Sequence, residues 1–271
     1  MQIFYYFCSI FRIIMEKISK AQVKMVRSLQ QKKFRDELGL FVAEGDKCVS
    51  ELTKSFELKW RIQSTDRSTD GIQTDTLLAT PTEIEQMSGL RAPQGVIGVF
   101  KKRPIEDLRL ENADLVLALD GIQDPGNLGT IIRTCDWFGV HDIVCSLDTA
   151  DCYNPKVVQA TMGALARVHV HYVNLLEWLS QQSCPIVGTL LEGKDMYEMV
   201  TSERMKELTN EGAIIVMGNE GNGISQEVRN LVTHPIRIPS YPKNVETSES
   251  LNVSIATAIV LAEFRRNYNL R

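Results

Sequence analysis

From Leu115 onward, short apolar runs alternate with stretches whose apolar positions recur at helical spacing. The runs are LVLALD (115–120), DIVCSL (142–147), VHVHYV (168–173), PIVGTLL (185–191), AIIVMG (213–218) and PIRIP (235–239). Helical patterns lie between and after them, notably NPKVVQATMGALAR (154–167), NLLEWLSQQ (174–182), SQEVRNLVT (225–233) and SESLNVSIATAIVLAEFRRN (248–267). Nearly continuous apolar strands separated by helices predict a parallel sheet covered on both faces, hence an α/β domain. Ligands of such sheets sit beyond the carboxyl ends of the strands.

The front of the chain is less regular. KAQVKMVRSLQQKKFRDEL (20–38) predicts one basic amphipathic helix, with Val23, Met25, Val26, Leu29 and Phe34 on its apolar face. GLFVAEGDKCVSELTKS (39–55) reads as a strand entering a helix, with Glu44 and Gly45 at the turn. STDRSTDGIQTD (64–75) is a polar surface loop, and TPTEIEQMSGL (80–90) opens a helix capped by Thr80 or Thr82. QGVIGVFKK (94–102) is a strand. The organisation expected is therefore an apolar extension over 1–15, a small α/β domain over 16–101, a charged, proline-bearing linker over 102–113 and a larger α/β domain over 114–271. The extension, MQIFYYFCSIFRIIM, is interrupted by Arg12 and too short to span a bilayer. Met15 begins a sequence that reads like an ordinary cytosolic start, so residues 1–14 are read as the product of an upstream start codon or as a segment docked on the body.

Charge changes the picture only locally. The net charge is −4, yet residues 17–35 hold seven Lys or Arg and no acid. Such an excess suits the backbone of a nucleic acid, with Lys24, Arg27, Lys32, Lys33 and Arg35 as candidate phosphate contacts; a solvated helix face has the same composition. The six cysteines form no C-x-x-C pair, and the apolar neighbours of Cys135, Cys145 and Cys184 suit buried thiols. No metal site is expected, and a reducing, cytoplasmic setting is.

Three turns carry the candidate chemistry. DGIQDPGNLGTIIRTCDWFGV (120–140) follows a strand and opens a helix, but its glycines make neither G-x-G-x-x-G nor a P-loop, which argues against a nucleotide-dependent oxidoreductase. Asn127 opens the helix, and Arg133, among Ile131, Ile132, Trp137 and Phe138, is expected to be buried or to face a cleft. IIVMGNEGNGIS (214–225) runs a strand into glycines around Glu220, ahead of Ser225 as a helix cap. The third turn, IPSYPKNVETSESLNVS (238–254), places Ser250 and Asn252 at the start of a helix lined by Ser254, Ala256, Ala258 and Ala262.

Taken in order, N-x-G-x-x-x-R, G-x-E-G-x-G and I-P followed by S-L-N-V-S resemble the three motifs of the SpoU (TrmH-like) branch of the SPOUT methyltransferases. FVAEGDKCVSE after the basic helix, with PQGVIGVF before the linker, is similar to that family's N-terminal substrate-binding domain, which is like ribosomal protein L30e. The resemblance implies a C-terminal sheet threaded through a trefoil knot, a homodimer joined through the final helix, and no membrane association. It implies S-adenosylmethionine as cofactor, contacted by Thr189, Leu190, Gly218, Gly223, Ile238 and Leu251. Asn127, Arg133, Glu220, Ser250 and Asn252 would line the reaction site. The implied reaction is methylation of a ribose 2′-hydroxyl in RNA, with guanosine in 23S ribosomal RNA favoured by the front domain; transfer RNA, or a catalytically silent RNA-binding dimer, are the alternatives. Family proposals make the arginine matching Arg133 the base. A guanidinium titrates above ~12, so clamping a phosphate, with Glu220 orienting the arginine, is the physically easier role. One departure is the third motif, which is longer than usual and lacks its glycine between Ser240 and Glu249.

Overall fold

The computed structural model describes residues 16–68, 76–104, 115–200, 212–242, 248 and 250–268. The apolar extension and most of the polar loop, of the linker and of the lengthened third-motif loop lie outside the described residues. The chain divides into two compact units: one runs to Arg103 and includes Tyr153–Pro155, and the other is the remainder.

In the first unit, α1 (Lys20–Ser28) and α2 (Lys32–Leu38) replace the single helix expected. The break has a cause: the Arg35 side chain, only 1% exposed, turns inward and its Nη1 donates to the carbonyls of Leu29 (2.8 Å) and Gln30 (3.0 Å). These carbonyls lie in the turn between the two helices. The strands are β1 (Leu40–Glu44), β2 (Leu58–Ser64), β3 (Thr76–Ala79) and β4 (Val96–Lys101), ordered β1-β4-β2-β3. β4 pairs antiparallel with β1 and β2, while β2 and β3 run parallel. β2 and β3 were not expected from the sequence. Helix α3 (Asp46–Leu52) starts at Gly45, whose φ of 89° suits only glycine, and α4 (Pro81–Met87) starts at Thr80 in a capping box with Glu83. Val23, Val26 and Leu29 of the first helix pack on Val42, Ile62, Ile97 and Val99 of the sheet. Lys24, Arg27, Lys32 and Lys33 stay exposed; Arg35 does not, so it leaves the set of candidate RNA contacts.

The second unit is a six-stranded sheet: β5 (Leu115–Asp120), β6 (Asp142–Ser146), β7 (His169–Val173), β8 (Ile186–Asp195), β9 (Ala213–Gly218) and β10 (His234–Arg237). The order is β10-β8-β9-β5-β6-β7 and every pairing is parallel. β5 leads on to β6 and β7 at one side, while β8, β9 and β10 fill the other. The order therefore reverses between β5 and β9, which opens a crevice at their carboxyl ends. Helices α5 (Pro125–Trp137), α6 (Pro155–Thr161), α7 (Leu175–Ser180), α8 (Met196–Val200), α9 (Gln226–Arg229) and α10 (Val253–Tyr268) connect and cover the strands.

α6 and β8 differ from expectation. The helix predicted over 154–167 stops at Thr161, because Met162 (φ 52°) and Gly163 (φ 93°) both turn left-handed. β8 is longer than PIVGTLL, and its register against β10 jumps: Gly188 faces Pro235, whereas Lys194 faces the next residue, Ile236. Thr189–Gly193 are thus extra residues set against a single step of the neighbouring strand. Among the described residues, no helix is long and apolar enough to cross a membrane.

Candidate active site

Asp120 and Gly218 form the last register pair of β5 and β9, and the loops that follow them meet across the crevice. After β9 the chain reverses within five residues. Asn219 N–H donates to the Gly223 carbonyl and Gly223 N–H to the Asn219 carbonyl, both at 2.9 Å. Gly223 has φ 68°, and a Cβ on Gly218 would stand 2.2 Å from the Gly223 carbonyl carbon and the Ile224 nitrogen, so the turn admits no side chain at Gly218. Asn219 organises the turn. Its Oδ1 accepts from the N–H groups of Gly221 (2.8 Å) and Asn222 (3.2 Å), and its Nδ2 donates to the Gly121 carbonyl (2.6 Å), joining the β9 loop to the β5 loop. Ser225 stands at the cap of α9, but its side chain caps nothing; its N–H donates instead to Asp120 Oδ2 at 2.7 Å.

After β5, Gly121 turns with φ 69° and donates to Ser146 Oγ (2.8 Å), which donates to Asp148 Oδ1 (2.6 Å). α5 begins at Pro125 rather than near Asn127, with Asp124 Oδ1 accepting the Asn127 N–H at 2.8 Å. Asn127 therefore lies in the first turn, and Arg133 falls two residues, about half a turn, further along the helix than a start at Asn127 would place it. Arg133 is exposed, not buried, and makes no hydrogen bond or ion pair among the described residues.

Glu220 does not pair with Arg133 but with Asn127, whose Nδ2 donates to Glu220 Oε1 at 2.7 Å across 93 residues of sequence. From the other side, Asn252 Nδ2 donates to Asn127 Oδ1 at 3.0 Å across 125 residues. Asn252 Oδ1 in turn accepts from Ser254 N–H (3.0 Å), Ser254 Oγ (2.6 Å) and Ile255 N–H (3.3 Å), and its carbonyl accepts the Ala256 N–H (2.9 Å), so Asn252 caps α10. The direction of this chain is dictated by its ends. An ionised carboxylate only accepts, which turns the Asn127 amide nitrogen toward Glu220. A helix start only donates, which turns Asn252 Oδ1 toward α10. Both amide orientations follow.

Of the expected catalytic set, Asn127, Glu220 and Asn252 are thus joined directly, while Ser250 is exposed with no hydrogen bond among the described residues. Of the expected cofactor contacts, Gly218 and Gly223 shape the β9 turn, Ile238 lies half-buried just past β10, and Leu251 is 48% exposed beside Asn252. Thr189 and Leu190 lie within β8 rather than at its end. Thr189 Oγ1 donates to the Val216 carbonyl at 3.3 Å, and Leu190 packs on the apolar cluster of Val116, Val144 and Val216. Asn219 and Asp120 were missed. Both stand in the quoted motifs, and an asparagine between a strand-end glycine and a turn is the available signal. Burial pushes the Cys135 and Cys145 thiols far up, so neither is a nucleophile.

Residues 114–262 match the SpoU rRNA Methylase family, and residues 20–98 match the MRM3-like substrate binding domain. The 23S rRNA (guanosine(2553)-2′-O)-methyltransferase RlmP of Bacillus subtilis is 27% identical over 257 residues, which is 92% of this chain and 98% of that protein. The 23S rRNA (guanosine-2′-O-)-methyltransferase RlmB of Neisseria meningitidis serogroup B is 33% identical over 66% of this chain and 71% of its own. Among solved structures, a TrmH-family protein from Porphyromonas gingivalis superposes with a TM-score of 0.79 at 36% identity, covering 92% of this chain and 98% of that one. The AdoMet-bound rRNA methyltransferase from Sinorhizobium meliloti superposes with a TM-score of 0.77 at 30% identity, covering 94% and 98%. The match of both parts of the chain, in order and nearly end to end, shows that it belongs to the SpoU rRNA methylase family.

Proposed function

We propose that the chain transfers a methyl group from S-adenosylmethionine to a ribose 2′-hydroxyl in RNA, with a guanosine of 23S ribosomal RNA as substrate. The observation that carries this reading is the Asn252–Asn127–Glu220 hydrogen-bonded chain, which brings all three motifs to one point at the strand ends. The names of the RlmP and RlmB relatives give that substrate for those enzymes.

The residues present fit the cofactor. The exposed main chain of the Glu220–Gly223 turn offers polar backbone groups, and Leu251 and Ile238 offer apolar surface for a purine. Bound there, the cofactor supplies an electrophilic sulfonium methyl. Arg133 clamps the phosphate beside the target ribose and stabilises the negative charge growing on the 2′-oxygen. Glu220, fixed through Oε1, presents its second carboxylate oxygen to the ribose hydroxyl and takes its proton. Asn127 and Asn252 hold that carboxylate in place, and Ser250 donates to the ribose or its phosphate. Lys24, Arg27, Lys32 and Lys33 bind the RNA backbone. Five described thiols, none in a disulfide, suit action in the cytoplasm.

The same reading includes the trefoil knot and a homodimer. Trp137 on α5 and Ile255 on α10 are 85% and 55% exposed, on two helices that pack against each other, where Arg265 Nε donates to the Phe138 carbonyl at 2.6 Å. Apolar side chains in that position suit a covered face, and sedimentation of the parent against Trp137→Glu tests it.

The test of the activity is transfer of labelled methyl into unmodified 23S rRNA and into a tRNA pool, assayed separately. Label in 23S rRNA that survives alkali as a dinucleotide, and is lost in Arg133→Ala and Glu220→Gln, is the expected result. Label confined to tRNA would reassign the substrate. Cofactor binding with no label in either pool would leave a silent RNA-binding protein.

A further inference from the structure

Three of the chain's four histidines gather at one place, and it is not the candidate active site. His169 and His171 lie on β7, the edge strand of the parallel sheet, and Asp142 begins the neighbouring β6 with His141 just before it. This is the amino-terminal end of the strands, whereas Asn127, Glu220 and Asn252 meet beyond the carboxyl ends. The register sets Asp142 opposite His169 and Val144 opposite His171, so Asp142, His169 and His171 leave the sheet on one face.

The His171 Nε2 atom lies 3.0 Å from Asp142 Oδ1, and one ligand atom from each of the three residues falls within 4.8 Å of the others. Two ligands bonded to one zinc-class ion at about 2.1 Å stand about 3.0–3.4 Å apart, between the octahedral and tetrahedral limits. The Asp142–His171 pair already has that spacing. The His169 ring is exposed, with its centroid 6.3 Å from that of His171, and metal binding requires it to turn about its side-chain bonds to close the remainder. Two imidazoles and a carboxylate form a donor set suited to zinc, nickel or copper rather than to magnesium or calcium. Two ligands are half-buried on adjacent hydrogen-bonded strands, which fixes them; the third faces solvent, which leaves a path of entry and room for water.

We propose that Asp142, His169 and His171 bind a divalent transition-metal ion, Zn²⁺ being the probe of choice, with water completing its coordination. The ion clips the edge strand β7 to β6. The sequence shows His169 and His171 only as an H-x-H pair; Asp142 stands 27 and 29 positions before them, and only the parallel register aligns it with them.

The test uses the full chain without an affinity tag, stripped of metal and titrated with ZnCl₂ in a calorimeter near neutral pH. One ion per chain is expected. His169→Gln should weaken binding by more than the roughly tenfold that even an outer-shell change costs, and His169→Gln/His171→Gln should abolish it. His234→Gln, which alters the fourth histidine, should bind as the parent does. Saturating Zn²⁺ should raise the unfolding midpoint of the parent and leave that of the double variant in place. No binding by the parent, or equal binding by parent and double variant, would overturn the proposal. His169 is exposed, so its replacement leaves the Asp142–His171 contact in place, and matching unfolding curves without metal confirm intact folding. Co²⁺ supplies a second readout. Ligand-field bands without a thiolate charge-transfer band are expected; a thiolate band would move the ion to a cysteine such as Cys184 and sink the assignment.

Discussion

Asn127 uses its whole side-chain amide to hold one carboxylate. Its nitrogen donates to Glu220 and its oxygen accepts from Asn252, and the first of these bonds does not survive a change to Asp at similar size. Asn127→Asp sets a second acceptor against Glu220 and leaves Asn252 Nδ2 facing an oxygen while Glu220 loses its donor. Asn127→Asp is therefore expected to lower methyl transfer at least as far as Asn127→Ala, and both by about a hundredfold or more, the scale set by losing one oriented polar group at a reaction centre. Steady-state kinetics on the labelled-methyl assay decides this; Asn127→Asp retaining most of the parent rate would show that the Glu220 contact is idle. Gly218→Ala is expected to cost about 1–3 kcal/mol and to impair cofactor binding, since its methyl would overlap the Gly223–Ile224 backbone. Denaturant unfolding and calorimetry measure the two effects separately. At this scale the sequence was partly legible. The motifs marked Asn127, Glu220 and Asn252, but hydrogen bonds spanning 93 and 125 residues have no local signature, so the partner of Glu220 was misassigned to Arg133.

Elements were legible where period and punctuation agree and obscure where a single side chain decides. The apolar runs of β5, β6 and β9 are found within a residue of their predicted limits, because a strand buried on both faces must be apolar throughout. The alternation of Leu58, Trp60 and Ile62 with Lys59, Arg61 and Gln63 is an equally plain strand signal for β2. The break between α1 and α2 has no glycine or proline to mark it; it rests on Arg35. Arg35→Met should cost about 1–3 kcal/mol by orphaning the Leu29 and Gln30 carbonyls, and should leave RNA affinity unchanged below the unfolding transition. Chemical unfolding and a binding titration on one sample distinguish this from a phosphate contact. The capping box of α4 makes a pH prediction. The Thr80 backbone N–H holds the Glu83 carboxyl below its ordinary value of 4.5, and the Thr80 hydroxyl adds to this. A carboxyl depressed by folding stabilises the fold above its unfolded value, and that contribution is lost as pH falls through the folded one. Glu83→Gln should therefore unfold at a lower temperature than the parent at neutral pH, and the two melting curves should converge on acidification below about pH 4.

The whole chain combines a basic front with a neutral-to-acidic body, and the front should supply most of the salt sensitivity of RNA binding. Changing Lys24, Arg27, Lys32 and Lys33 together to Gln removes four exposed cations. If each contacts a phosphate of single-stranded RNA, the slope of log affinity against log salt should fall by about 3, from roughly 0.7 per contact. An unchanged slope, measured by filter binding over a range of salt, would place the RNA elsewhere. The parallel alignment that gathers His169, His171 and Asp142 was not readable in the sequence, since register is a property of the assembled sheet.

Asn252 has two duties: it caps the final helix and it supplies the last donor to Asn127. Fraying of that helix and dissolution of the reacting constellation are therefore one opening event with one free energy. Whatever grips Asn127 or Glu220 must slow deuterium uptake at the Ser254 and Ile255 amides, although they form no part of the crevice, and a change that loosens the last helix must lower turnover without touching a ligand.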